Sequence, residues 1–260
     1  MTRRSLLMAA AQEILDLIPP KADARIPYGR EELQFGDLRL PPGKGPHPVV
    51  IFIHGGFWKA AYNLDHAGHA CAGLTAAGAA TWSLEYRRIA DPGGGWPGTL
   101  DDVEGGARHI HELAKRYPLD LTKVVAAGHS AGGQLALWLG AQKSIELRGV
   151  ASLAGVADLR RAWELRLSDG IVAKFLGGTP EQVPERYAKA DPMERLPMAV
   201  KQRLVHGTAD DIVPFEISER FAKVSKNSQL LALKGAGHFA LIDPRTPEFR
   251  NVSAAILDWV

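Results

Sequence analysis

A serine can attack an acyl carbon only where a base takes its proton and a further group holds that base. The 260-residue chain contains all three residue types in suggestive settings. Ser130 sits in VVAAGHSAGGQLALWL, residues 124–139, flanked by Gly128 and Gly132 as G-x-S-x-G. His238 sits in LKGAGHFAL, and Asp210 and Asp211 sit in LVHGTADDIVP. An imidazole that removes the serine proton, and a carboxylate that fixes one imidazole tautomer, make a nucleophilic acyl-transfer site. Either aspartate could serve. With 27 glycines in the chain, the pentapeptide would arise by chance in about one of ten sequences of this composition. The alternative for Ser130 is a turn serine that caps the following helix. The base and the acid elsewhere in the chain weigh against it.

Acyl transfer also needs donors waiting for the oxyanion, a term of about 3 kcal/mol per donor. The segment IFIHGGFW, residues 51–58, ends an apolar run in two glycines, where backbone can approach a substrate closely. The expected donors are the amides of Gly56, Phe57 and Ala131. A phosphate-binding reading of His54-Gly55-Gly56 fails, because neither G-K-[ST] nor G-x-G-x-x-G follows.

These residues must be carried by strand ends. PVVIFIHGG, AATWSLEY, KVVAAG, LRGVASLAG, QRLVHG and SQLLALKG read as strands, most of them apolar enough to be covered on both faces. Between them HAGHACAGLTAAG, TLDDVEGGARHIHELAKRY, AGGQLALWLGAQ and PFEISERFAKV read as helices, and a further helix ends the chain. EELQFGDLRLP suggests an edge strand or hairpin, followed by the turn PPGKGPHP. The alternation predicts a mostly parallel sheet with helices on both faces and right-handed crossovers. Residues of about 159–200 break the rhythm and predict a small, cap-like helical insertion before the acid-bearing strand. No repeat or linker divides the chain, so a single domain over 1–260 is expected.

Composition narrows the partners. Thirty-one basic against 29 acidic residues give a net charge of +2 without basic runs, so neither nucleic acid nor an acidic partner is expected. The single cysteine, Cys71, excludes an intrachain disulfide and a thiolate metal cluster; its small apolar neighbours predict a buried helix position. The opening MTRRSLLMAAAQEILDLIPP has a secretion-like start, but Gln12, Glu13 and Asp16 interrupt it, short of the roughly 7 to 15 apolar residues required. An amphipathic helix using Leu6, Leu7, Ile14, Leu15 and Ile18 is expected instead, and with no membrane span elsewhere a soluble, cytoplasmic protein. His66 and His69, and His109 and His111, have no carboxylates in a metal motif and read as helix-surface histidines; no metal or organic cofactor is expected. The sequence leaves oligomeric state open.

HGGFW at 54–58, GHSAGG at 128–133, HGTADDIVP at 206–214 and GAGH at 235–238 together resemble the α/β-hydrolase superfamily. Within it the match is to small carboxylesterases and arylformamidases with an HGG-aromatic-Trp motif. The order Ser, Asp, His is also that superfamily's. The resemblance implies an α/β-hydrolase fold and a triad of Ser130, Asp210 and His238, since the family pattern H-G-x-x-D-x-x-V-P puts the acid at Asp210. It implies hydrolysis of a small-molecule ester or amide, with N-formylkynurenine as the rival substrate; the 159–200 insertion, too short for an elaborate lid, favours soluble short-acyl or aryl esters. A peptidase-like hydrolase or a non-catalytic protein on this fold are the remaining alternatives. Trp58, Trp96 and Phe239 are the expected substrate-pocket residues; for Trp96, packing of a glycine-rich loop is the equal alternative.

Overall fold

The apolar run that ends in His54 forms β3 (His47–Ile53), in which Val49 to Ile53 are wholly buried, as a strand covered on both faces requires. A computed structural model describes residues 14–260. Before β3 come β1 (Ala24–Pro27) and β2 (Phe35–Arg39). After it follow α1 (Asp65–Ala76), β4 (Ala80–Leu84), α2 (Gly98–Arg108), α3 (Ile110–Leu113), β5 (Leu119–His129) and α4 (Ala131–Gln142). Then come β6 (Gly149–Leu153), α5 (Leu159–Glu164), α6 (Leu167–Leu176), α7 (Pro184–Ala190) and a 3-10 turn at Pro192–Arg195. The chain closes with β7 (Gln202–Gly207), α8 (Glu216–Val224), β8 (Ser228–Leu233), a 3-10 turn at Phe239–Leu241 and α9 (Pro247–Leu257).

The eight strands form one sheet in the order β1-β2-β4-β3-β5-β6-β7-β8. Only the pairings of β1 with β2 and β2 with β4 are antiparallel. Strand alternation divides the core in two. Val49, Ile51, Val124 and Ala126 face a cluster that includes Val103, Leu135, Phe175, Ile217 and Phe221, whereas Val50, Phe52, Val125 and Ala127 face Cys71, Leu74, Val252 and Ile256. Cys71 is thus a buried helix residue, as its neighbours predict. Helix α4 is buried continuously from Ala131 to Leu139, which suits a helix apolar on every side.

Parallel register collects the candidate chemistry at one edge. Ile53 lies opposite Gly128, His129 opposite Leu153, Leu153 opposite Val205 and Gly207 opposite Leu233, so the loops after β3, β5, β7 and β8 leave side by side. Strand β8 is three strands from β5, about 14 Å at ordinary strand spacing. The five residues 234–238 can reach about 17 Å when extended, enough to bring His238 back over β5.

The fold differs from the sequence reading in particular places. The helix expected over residues 99–117 breaks at His109, and β5 begins at Leu119, four residues early. Strand β1 is only four residues, half of them exposed, too short for a periodic signal. The 159–200 segment does form short helices, but Leu159, Ala162, Val172, Phe175, Tyr187 and Ala190 join the same buried cluster as Trp58 and Trp138. Of the opening helix, Leu6 and Leu7 lie outside the described residues; Ile14 is buried, Leu15 packs on the second core, and Ile18 is 93% exposed.

Candidate active site

Ser130 occupies the bend between β5 and α4 with φ 56° and ψ −122°, a conformation that costs a non-glycine residue of order 1–3 kcal/mol. Its amide donates to the Leu153 carbonyl at 2.8 Å, and its carbonyl accepts from Gly133 at 2.9 Å and Val156 at 3.3 Å. The flanking glycines permit the bend by backbone contact. A Cβ on Gly128 would lie 2.1 Å from the Gly132 carbonyl oxygen, and one on Gly132 would lie 2.1 Å from that of Ile53 and 2.5 Å from that of His54. The α4 amino terminus, with its free amides and positive dipole end, begins at the residue after the serine.

Asp210 and His238 meet on adjacent loops. Asp210 Oδ2 lies 2.7 Å from His238 Nδ1 and 3.2 Å from His206 Nε2. Asp210 Oδ1 accepts from the amides of Ile212 and Val213, each at 2.9 Å. Burial alone would raise the Asp210 carboxyl, but the hydrogen bonds and charges of His206 and His238 outweigh it and hold the group below the ordinary carboxylate range. Asp211, the other aspartate, is exposed. His206 Nε2 faces only acceptors, Asp210 and the Val213 carbonyl at 3.0 Å, while its Nδ1 lies 2.7 Å from the Ser218 hydroxyl. The proton therefore sits on Nε2, and Ser218 donates to Nδ1.

The loop after β3 turns through three consecutive residues of positive φ, Gly56 at 108°, Phe57 at 50° and Trp58 at 54°. Lys59 donates its amide to the Gly56 carbonyl at 3.0 Å and Ile89 donates to that of Trp58 at 2.8 Å. Beneath the loop, the His54 ring donates to the Gly55 carbonyl at 2.8 Å, lies 3.1 Å from Glu85 Oε1 and stacks on Tyr86 at 4.3 Å. Tyr86 returns its hydroxyl to the His54 carbonyl at 2.9 Å, and Glu85 Oε2 accepts from the Leu64 amide at 3.0 Å. Burial pushes the Glu85 carboxyl up, but His54, Arg88 and the Tyr86 amide together bring it below the ordinary range. Among the described residues the amides of Gly56, Phe57 and Ala131 donate to no backbone acceptor.

The expected pocket residues separate. Phe239 is half-buried with its ring 5.1 Å from His238 and 6.0 Å from His129. Trp58 is different: it is wholly buried, stacked on Phe175 at 4.5 Å with its indole N–H on Gln134 at 3.2 Å. The expectation that it lines the substrate pocket is corrected, because the side chain is wholly buried, with Phe175 of the 159–200 segment stacked on its ring and its N–H taken by Gln134. Trp96 lines a cleft of about 270 Å³ with Trp138 and Gln142, beside the far half of α4, and its amide donates to the Phe175 carbonyl at 3.0 Å. That placement suits its packing role.

His66 also departs from the expected surface position. Its Nε2 lies 2.8 Å from His129 Nδ1, and His129 Nε2 lies 3.0 Å from the His238 carbonyl oxygen. His69 faces the Leu17 carbonyl at 3.4 Å, His109 stacks beside Trp82, and His111 is exposed. Among the described residues no group of three His, Cys, Asp or Glu is arranged to hold a metal ion. No described helix is long and apolar enough to cross a membrane.

Glu85, His129, His206 and His66 are the site residues that sequence reading passed over. Two carried a signal in their spacing: His206 stands four residues before Asp210, and His129 adjoins Ser130. Glu85 and His66 carried none, because their partners are 31 and 63 residues away.

The BD-FAE family model matches residues 37–224. The chain is 29% identical to Esterase LipC of Mycobacterium tuberculosis over 91% of its own length and 64% of that protein. It is 33% identical to the kynurenine formamidase of Meyerozyma guilliermondii over 45% of its own length and 42% of that enzyme. It therefore spans less than two thirds of these curated relatives. Among solved structures, an inhibited Esterase B from Lactobacillus rhamnosis superposes with a TM-score of 0.77 at 18% identity, over 96% of this chain and 91% of that one.

Proposed function

The chain belongs to the BD-FAE family and has the α/β-hydrolase fold, and on that premise we propose that it is a serine hydrolase of short-acyl or aryl carboxylic esters. The observation that carries this reading is the buried Asp210–His238 contact of 2.7 Å on the loop tied to His129, next to the strained Ser130. In the proposed reaction His238 Nε2 takes the Ser130 proton as Oγ attacks the ester carbonyl. The amides of Ala131, Gly56 and Phe57 receive the oxyanion. His238 returns the proton to the departing alcohol, leaving an acyl-serine, and then activates the water that releases the acid. Asp210 stays ionised throughout and stabilises the imidazolium. Phe57 and Phe239, both half-buried, supply apolar contact for the acyl group. The chain's own residues supply every proton transfer in this scheme.

A second reading, formamide hydrolysis, is favoured by the HGGFW motif and the formamidase relative. Both reactions use one triad and differ in the leaving group. The test compares kcat/KM for p-nitrophenyl esters of increasing acyl length with that for N-formylkynurenine, beside Ser130→Ala. The ester reading expects p-nitrophenyl acetate or butyrate to lead, a fluorophosphonate to label Ser130, and the alanine variant to be inactive. A lead for N-formylkynurenine would transfer the assignment to the amide, and an unlabelled Ser130 would remove both.

A further inference from the structure

The residue next to the candidate nucleophile is bonded directly to the candidate base. His129 Nε2 meets the main-chain carbonyl of His238 at 3.0 Å, and the two rings lie 4.4 Å apart. A carbonyl oxygen can only accept, so His129 carries its proton on Nε2. Its Nδ1, in the neutral ring, is then an acceptor, and His66 Nε2 at 2.8 Å must be the donor. This order leaves a lone pair on His66 Nδ1, which is buried and has no partner among the described residues. A proton there would add a charge and an unpaired donor in a closed space, so the geometry selects the neutral form.

We propose that His129 and His66 are positioning residues that fix the backbone of His238, and hence the aim of its imidazole, through a one-way chain of neutral imidazole hydrogen bonds. The proposal rests on Ser130 and His238 acting as nucleophile and base. His238 is held at two points: Asp210 orients Nδ1, and His129 holds the carbonyl. Because His129 is covalently joined to Ser130, the second point sets base against nucleophile through one hydrogen bond. His66 extends the brace to the loop that carries the oxyanion donors, since a Cβ on Gly55 would lie 2.9 Å from His66 Nε2 and 3.0 Å from Ser130 Cβ.

The surroundings keep the chain uncharged. His129 faces His238, His66 and, farther off, Asp210. Burial first, then the neighbouring His238 and His66, lower its pKa well below the ordinary value, against smaller opposing effects of the hydrogen bond to the His238 carbonyl and of Asp210. His66 faces His54 and His238, with Tyr62 and Phe239 at its ring edges, and burial first, then those two histidines, lower it to about 3. A neutral brace adds no positive charge beside an imidazole that must itself become cationic during catalysis.

The test uses the whole protein and two independent readouts. In the first, ¹⁵N spectra of the histidine rings should show His129 and His66 as neutral Nε2–H tautomers from pH 5.5 to 8; protonation of either in that range would overturn the proposal. The second compares His129→Leu with His129→Gln, whose amide keeps a donor near the Nε2 position. His66→Leu and His66→Gln form the matching outer pair, and thermal midpoints are recorded for all four. Loss of one aiming hydrogen bond should lower kcat for p-nitrophenyl acetate about threefold to tenfold. KM should stay within about twofold, and each glutamine should recover most of the loss. Unchanged kcat in His129→Leu, or equal losses for leucine and glutamine at both positions, would refute it. If His129→Leu does not fold, the His66 pair decides by the same criteria. Fluorophosphonate labelling of wild-type Ser130 separates the two levels: labelling with unaffected variants removes only the brace, whereas no labelling removes the hydrolase reading beneath it.

Discussion

Replacing Asp210 by asparagine tests the site at its most constrained atom. The carboxylate accepts three hydrogen bonds, two from the Ile212 and Val213 amides on Oδ1 and one from His238 on Oδ2, with His206 Nε2 a further 3.2 Å contact on Oδ2. Asparagine offers one oxygen. If that oxygen keeps the two amides, its NH₂ group meets His238 Nδ1, which needs an acceptor. His238 must then present a lone pair at Nδ1 and move its proton to Nε2, the position that receives the Ser130 proton in the proposed reaction. The lost attraction to the developing imidazolium, at 2.7 Å and an effective dielectric of 20, is about 6 kcal/mol. That corresponds to about ten-thousandfold in rate, the same order as in serine-protease triads when the acid becomes an amide. The assay is steady-state hydrolysis of p-nitrophenyl acetate at pH 7.5, with Asp211→Asn, an exposed neighbour, as the control expected to stay within about twofold. An Asp210→Asn enzyme with more than a tenth of wild-type kcat would sink this account of the site. So would a larger loss in the Asp211 variant.

Two further perturbations probe the frame. In Gly132→Ala the new methyl falls 2.1 Å from the Ile53 carbonyl oxygen, so β3 and the loop after it must shift. Overpacking of this kind costs about 1–3 kcal/mol, and thermal unfolding with the ester assay should show a lower midpoint and a disproportionate loss of kcat; unaltered kcat would contradict it. Asp191 is wholly buried, and burial pushes its carboxyl from 3.8 up to about 7. A carboxyl raised on folding disfavours the ionised native state, so the Asp191 contribution to stability falls as pH rises from about 4 towards 7 and levels off above, against the opposite contributions of the lowered His66 and His129. Asp191→Asn removes this dependence, and the two urea-derived stability curves should separate over that window by up to about 4 kcal/mol; parallel curves would show that the three amides around the carboxylate compensate its burial.

Much of the sheet was legible because its signals are local and redundant. The α4 segment is apolar on all sides, is preceded by a strand and two glycines, and occurs as expected at Ala131–Gln142. QRLVHG likewise forms β7 at Gln202–Gly207. The errors fall where tertiary packing overrides pattern. Trp58 follows a functional glycine pair, and its aromatic character suggested a pocket wall. Its large apolar area instead finds Phe175, 117 residues later, in a segment whose own pattern suggested something standing off from the core. Burying that indole also uses its N–H on Gln134, a pairing that no window of sequence contains.

The site itself was legible in proportion to how far each role depends on residue type rather than on partners. Ser130, Asp210 and His238 stand at strand ends beside glycines, a setting that singles them out as candidates. Histidine is harder to read, because the same side chain serves as base, donor or spacer according to what it meets. At 238 it meets a carboxylate, and at 206 it lies beside that carboxylate while its Nε2 proton goes to the Val213 carbonyl. At 129 and 66 it meets a carbonyl and another imidazole, which fixes the proton order without any charge. His66 reads as a surface residue in the sequence because its i, i+3 pairing with His69 comes with no carboxylates in a metal motif. The single fact that decides its role, contact with residue 129, is created by the crossover that packs α1 over the end of β5. A helix start and a strand end brought together by topology can therefore turn an unremarkable i, i+3 histidine into a brace of the candidate catalytic base, and its effect on kcat is the measurable sign of that change.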